Sequence, residues 1–120
     1  MDIHLDHDSP VAPYEQVRLQ IAEQAQRGVL PAGTKLPPVR RLAADVGLAA
    51  NTVARAYREL EQAGLVETRG RAGTVITAKA AQTPIEAQRA AQRYARTIKE
   101  LGLPEQEALD LVRAALRPPG

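Results

Sequence analysis

Apolar residues recur at helical spacing in three successive stretches, give way to two short β-branched runs, and then resume helical spacing in two more stretches. Over residues 13–27, Tyr14, Val17, Ile21 and Ala25 fall three and four apart on one helical face, and Gly28 stands where that helix would close. Val39, Leu42, Ala43 and Val46 repeat the period over about two turns, ahead of Gly47 in the place of a left-handed C-cap. In the third stretch Val53, Ala56, Tyr57 and Leu60 share a face, while Asn51, Arg55, Arg58 and Gln62 lie opposite. A helix with a buried side and a polar, cationic side is therefore expected, ending at Gly64. Residues 65–69 and 74–77 flank Gly70-Arg71-Ala72-Gly73, a hairpin signal with a glycine-rich, basic turn.

Two short helices meeting at a glycine-containing turn, the second offering small polar groups and arginines, predict a helix-turn-helix, and the hairpin behind it predicts a wing. Leu30 and Leu36 in the intervening loop are expected to seal the core. The alternation of Ile3 and Leu5 with polar neighbours predicts a short edge strand or an ordered arm over residues 1–10. His4 and His7 stand among Asp2, Asp6 and Asp8, but their spacing matches no ligand motif, so no metal is expected.

Past Thr77 the sequence Ala-Lys-Ala-Ala-Gln reads as a connector, and Thr83-Pro84-Ile85-Glu86 has the composition of a capping box that opens a helix. Ala87, Ala91, Tyr94, Ile98 and Leu101 alternate in the manner of a helix-helix seam up to Gly102. From Pro104 a last helix follows, with Glu105 and Glu107 in its first turn, Arg113 and Arg117 near its end, and Pro118-Pro119-Gly120 as its stop. Ala108, Leu109, Val112, Ala115 and Leu116 form its apolar face. Two helices of roughly 15 residues each do not make a core of their own, so they must cover the winged helix or meet the same helices of a second chain. The expected fold is mainly α with a small β-hairpin. It comprises an arm (1–10), a winged helix-turn-helix (11–78) and a C-terminal two-helix dimerisation region (79–120).

Composition narrows the chemistry. The 120 residues include no Phe, no Trp and three Tyr, so the core must be aliphatic. Cysteine is absent, which removes disulfides, thiolate metal sites and thiol nucleophiles. With no apolar run of about 18 residues and no basic-then-apolar leader, a soluble cytoplasmic protein without a membrane partner is expected. Net charge is only +2, but its distribution is uneven. Residues 1–33 hold two arginines against five acidic residues, whereas residues 34–79 hold eight basic residues against four acidic ones. Positive charge therefore gathers in the predicted helix-turn-helix and wing, where a phosphate backbone would be met. No catalytic triad, paired carboxylates or phosphate-binding glycine loop is present, and neither an enzyme nor a cofactor is expected.

Three separated motifs, LPPVRRLA from Leu36, NTVARAYRELE from Asn51 and RGRAGT from Arg69, resemble in order and distance the winged-helix domain of GntR-type bacterial transcription regulators. The likeness spans roughly residues 11–77, and the two-helix tail is similar to that of the short YtrA-like class, whose small tail dimerises. Departures are Pro38 where a serine is usual, Ala49 and Ala50 in the turn, and Val75 in place of a wing phenylalanine. The resemblance implies a homodimer on a two-fold operator in double-stranded DNA, acting as a repressor or activator, with repressor preferred. Helix 50–63 would enter the major groove and wing 69–73 the minor groove. Residues assigned to the DNA are Lys35, Arg40, Asn51, Thr52, Arg55, Arg69, Gly70 and Arg71, with Arg55 as the base reader. Asn51 has a second reading as a helix N-cap. Tyr57 is assigned to the core with its hydroxyl at the edge, and Arg58 to an ion pair with Glu61. A winged helix used for protein interaction is the alternative, and a small-molecule effector between helices or subunits is left unnamed.

Overall fold

The computed structural model describes residues 1–118. Its elements are α1 (Pro13–Gln26), α2 (Val39–Val46), α3 (Ala50–Gln62), β1 (Val66–Thr68), β2 (Thr74–Ile76), α4 (Ala78–Gln82), α5 (Ile85–Leu101) and α6 (Glu105–Leu116). This is a mainly helical chain with one antiparallel hairpin, arranged as a winged helix-turn-helix followed by further helices. It falls into two compact units, Met1–Gln88 and a second that begins at Arg89.

The first unit is held by aliphatic burial. Val17 and Ile21 of α1, Leu42 of α2, and Val53 and Leu60 of α3 are each at most 3% exposed, and Leu30 and Leu36 close the loop side as expected. Between α2 and α3 the chain turns at Gly47, whose φ of 73° and ψ of 34° suit a residue without Cβ, and the Leu48 amide donates to Ala43 O. α3 starts at once behind Ala49, without any side-chain cap. Asn51 is therefore not the N-cap, and the cap reading of that residue is set aside.

The wing is broader than a hairpin. β1 and β2 pair in the register Val66↔Ile76, Glu67↔Val75 and Thr68↔Thr74. On the other edge of β2 the loop segment 33–36 adds a bridge, Lys35↔Val75, with Gly33 N on Ile76 O at 2.8 Å and Leu36 N on Thr74 O at 2.8 Å. Val75, which stands in place of the wing phenylalanine of the family it resembles, is 4% exposed between these two partners. The tip, residues 70–72, is one turn of 3₁₀ helix.

The N-terminal segment is an arm tied to α1. Gln16, Gln20 and Gln24 stand four apart on α1, so they line up on one face. Their amide oxygens accept from the backbone N–H of Asp6, His4 and Asp2, and their amide nitrogens donate to the carbonyls of the same three residues. The glutamines thus act as a surrogate strand edge, while Ile3 and Leu5 pack against the core between the tied positions.

After the wing the structure departs from the sequence expectation. The connector is helical: Thr77 caps α4 through its Oγ, which accepts from the Ala80 amide at 3.3 Å. Thr83 does not open a capping box. Its hydroxyl donates backward to Lys79 O at 2.8 Å, and the first amide of α5, Ile85 N, donates instead to Gln26 Oε1 of α1 at 2.7 Å. Ala80 and Ile85 join the core, and the first compact unit extends to Gln88.

In the second unit, Tyr94 of α5 donates its hydroxyl to Ala108 O of α6 at 2.7 Å, and Ile98 and Ala108 are buried. Of the expected seam, Ala87, Ala91 and Leu101 are exposed. Arg117 follows α6, and of the expected Pro118-Pro119-Gly120 stop only Pro118 lies within the described residues.

Candidate nucleic-acid interface

α3 presents two faces fixed by its own sequence. Val53, Ala56, Tyr57 and Leu60 are buried, and Asn51, Arg55, Arg58 and Gln62 are exposed. Tyr57 anchors the inward face: its hydroxyl donates to Pro37 O at 2.7 Å, and burial pushes its pKa up to about 12. That bond ties α3 to the loop leading into α2, so the two helices keep a fixed mutual placement.

Arg55 is exposed but not unattached. Its Nε donates to Glu59 Oε2 at 3.0 Å, and its guanidinium carbon lies 3.6 Å from the centre of the Tyr14 ring on α1. Glu59 is shared, since its second oxygen accepts from Arg18 of α1. The hydrogen bond with Glu59 raises the Arg55 pKa, and burial together with the adjoining Glu15 carboxylate raises that of Tyr14. Arg55 thus belongs to a small ionic and aromatic cluster joining α1 to α3.

Arg58, assigned from sequence to an ion pair with Glu61, makes none. Glu61 instead accepts from the Thr68 hydroxyl of β1 at 2.9 Å, which links α3 to the wing. Arg58 is exposed and has no hydrogen bond or ion pair to any described residue. Sequence reasoning missed it because the i, i+3 carboxylate was counted as a partner without the competing hydroxyl one strand away.

The remaining assigned residues divide in the same way. Arg69 is paired with Glu67, two residues before it along the chain, with 55% of its side chain exposed. Arg71 on the tip, Arg40 in the first turn of α2 and Lys35 on the outer edge of the wing are exposed without an ion pair among the described residues. Lys35 crosses the wing base closely enough that a Cβ on Gly73 would come within 3.1 Å of its Cε. Gly70 has a φ of 51° and nothing within 4 Å of where a Cβ would be, so it is open to close approach from outside. Asn51 is exposed and Thr52 half-buried at the start of α3. All eight assigned residues lie in the first unit.

Among the described residues no group of three or more His, Cys, Asp or Glu is placed to hold a metal ion, and no helix is long and apolar enough to cross a membrane.

Comparison with known proteins converges on one family. Residues 13–76 match the profile described as bacterial regulatory proteins, gntR family. The chain is 48% identical over 96 residues to the HTH-type transcriptional regulator Rv1152 of Mycobacterium tuberculosis, covering 80% of this chain and 78% of that protein. It is 44% identical over 85 residues to the HTH-type transcriptional repressor YtrA of Bacillus subtilis, covering 70% of this chain and 65% of the repressor. In three dimensions it is similar to YtrA from Sulfolobus acidocaldarius, a GntR-family transcription factor. The TM-score is 0.62 and the identity 27%, over 79% of this chain and 96% of that one.

Proposed function

Since the chain belongs to the gntR family of bacterial regulatory proteins, and within it stands with the YtrA-like regulators, we propose that it is a sequence-specific DNA-binding transcription regulator that acts as a repressor. α3 enters the major groove of a two-fold operator, and the wing tip enters the neighbouring minor groove. Asn51 and Thr52, at the uncapped start of α3, meet base edges. Arg40, Lys35, Arg69 and Arg71 meet phosphates, with Gly70 letting the tip backbone approach. Arg55 stands at the rim of this surface, held by Glu59. The repressor assignment is supported by the name of the Bacillus subtilis relative.

The observation that carries this reading is the outward side of α3, which leaves Asn51 and Arg58 exposed and unattached while the wing is tied beside it through Glu61 and Thr68. The functional form is a homodimer. Support comes from the second unit, where Leu109 is 38% exposed, Leu111 52% and Leu116 78%, an apolar surface that water disfavours.

Footprinting on the promoter region of its own gene, followed by titration of that site at several salt concentrations, tests the reading. A protected two-fold site is expected, with log K falling against log salt at a slope near −0.9 for each phosphate contacted. Binding that ignores salt, or an absence of any protected site, would instead favour a protein-interaction module.

A further inference from the structure

The outward side of α3 offers two arginines, and they are not equivalent. Arg55 is bonded to Glu59, one turn toward the C-terminal end, and stacked on Tyr14. Its donors are thereby drawn away from the N-terminal end of the helix, which is the end that reaches base edges in a helix-turn-helix. Swinging its guanidinium toward that end would cost Arg55 both contacts. Arg58 has nothing to give up, because no described residue holds it: Glu61, the carboxylate three residues on, is bound to Thr68, and the adjacent Glu59 to Arg18 and Arg55.

Direction matters as well as freedom. Side chains on a helix lean toward its N-terminus, so Arg58 inclines over position 54 and on toward position 51. Position 54 is Ala, whose methyl group leaves the track open, and position 51 is the exposed, uncapped Asn51. A long cation can lie along this lane and bring its guanidinium fork to the groove floor beside the asparagine.

We propose that Arg58 is the base-reading arginine of this protein, taking the O6 and N7 edge of a guanine in the major groove, and that Arg55 is a positioning residue that fixes α3 against α1. The assignment rests on the DNA-binding reading above.

Selection of bound sites from a randomised duplex pool by the full chain, by Arg58→Ala, by Arg58→Lys and by Arg55→Ala tests it, with affinity for the selected parent site measured for each. The parent is expected to enrich a two-fold motif with a guanine in each half-site. Arg58→Ala should keep the rest of the motif but lose preference at that one position, by roughly 5- to 150-fold, the reach of one bidentate contact. Arg58→Lys should restore general affinity more than the guanine preference. Arg55→Ala should leave the motif unchanged while weakening binding to every site alike. Loss of the guanine position in Arg55→Ala, or an even loss across all sequences in Arg58→Ala, would overturn the assignment. A parent that enriches no motif would overturn the DNA-reading premise itself, an outcome separate from either of these. Because Arg58 is exposed and unbonded, its variants should melt with the parent, so a changed motif would report recognition and not folding.

Discussion

Tyr57 is 7% exposed, and its hydroxyl has a single useful partner, the Pro37 carbonyl. Tyr57→Phe keeps the ring and removes that bond, leaving a carbonyl in a half-buried loop without it. A loss of about 0.5–1.5 kcal/mol in unfolding free energy is expected from denaturant titration. The same residue sets an alkaline limit. Burial raises its pKa from 10.0 to about 12, so the folded state holds the proton more tightly than the unfolded state. The resulting stability is fully present below pH 10 and is lost as pH rises through about 12. Tyr57→Phe should therefore show a shallower fall in denaturation midpoint across that window. An equally steep fall in the variant would assign the alkaline loss to other groups.

α1 and α3 are joined by more than apolar contact, because Glu59 accepts from Arg18 and from Arg55, and Arg55 in turn lies over Tyr14. With Glu59 only 22% exposed and Arg18 18%, Glu59→Ala strands a largely covered cation. A destabilisation of roughly 1–3 kcal/mol is expected in urea, and Glu59→Gln should recover part of it. The arm offers a second test at this scale. Gln20→Ala removes both bonds to His4, so the His4 amide should exchange with deuterium about fivefold or more faster, in line with about 1 kcal/mol per bond, while the core amides of α3 hold their rates. Unchanged exchange at His4 would mean that Ile3 and Leu5 alone hold the arm. What the chain revealed in advance follows the reach of each interaction. The faces of α1, α2 and α3 and the Gly47 turn were legible because periodicity and backbone preference are local. The helical connector, the unformed box at Thr83 and the glutamine ladder were not. Thr83 had two equally local uses for its hydroxyl, and the choice was made by Gln26, 59 residues before Ile85. The partition of Arg55 and Arg58 was hidden for the same reason, since Tyr14, Arg18 and Thr68 are neighbours only in the folded chain.

At the scale of the whole molecule, the proposed homodimer would make the second unit decide how many winged helices meet one stretch of DNA. Ile98 is buried between α5 and α6, so charge placed there would disturb the unit itself and say little about assembly. Leu109 and Leu116 are the better probes: they lie seven residues apart on one side of α6 and are 38% and 78% exposed. Leu109→Glu combined with Leu116→Glu should leave helix content and melting of the isolated subunit unchanged but convert the proposed dimer to monomer in sedimentation. A monomer can hold one half-site only. The second half-site, about one helical turn of DNA (~34–36 Å) or a multiple away, then no longer benefits from being tethered. Affinity for the full operator should fall by roughly 10²- to 10⁴-fold, the usual gain from linking two binding events, while affinity for an isolated half-site stays at the parent value. This pairing of measurements separates assembly from contact. A variant that loses both affinities has a damaged reading surface, and one that remains dimeric has its two-fold axis on another part of the chain.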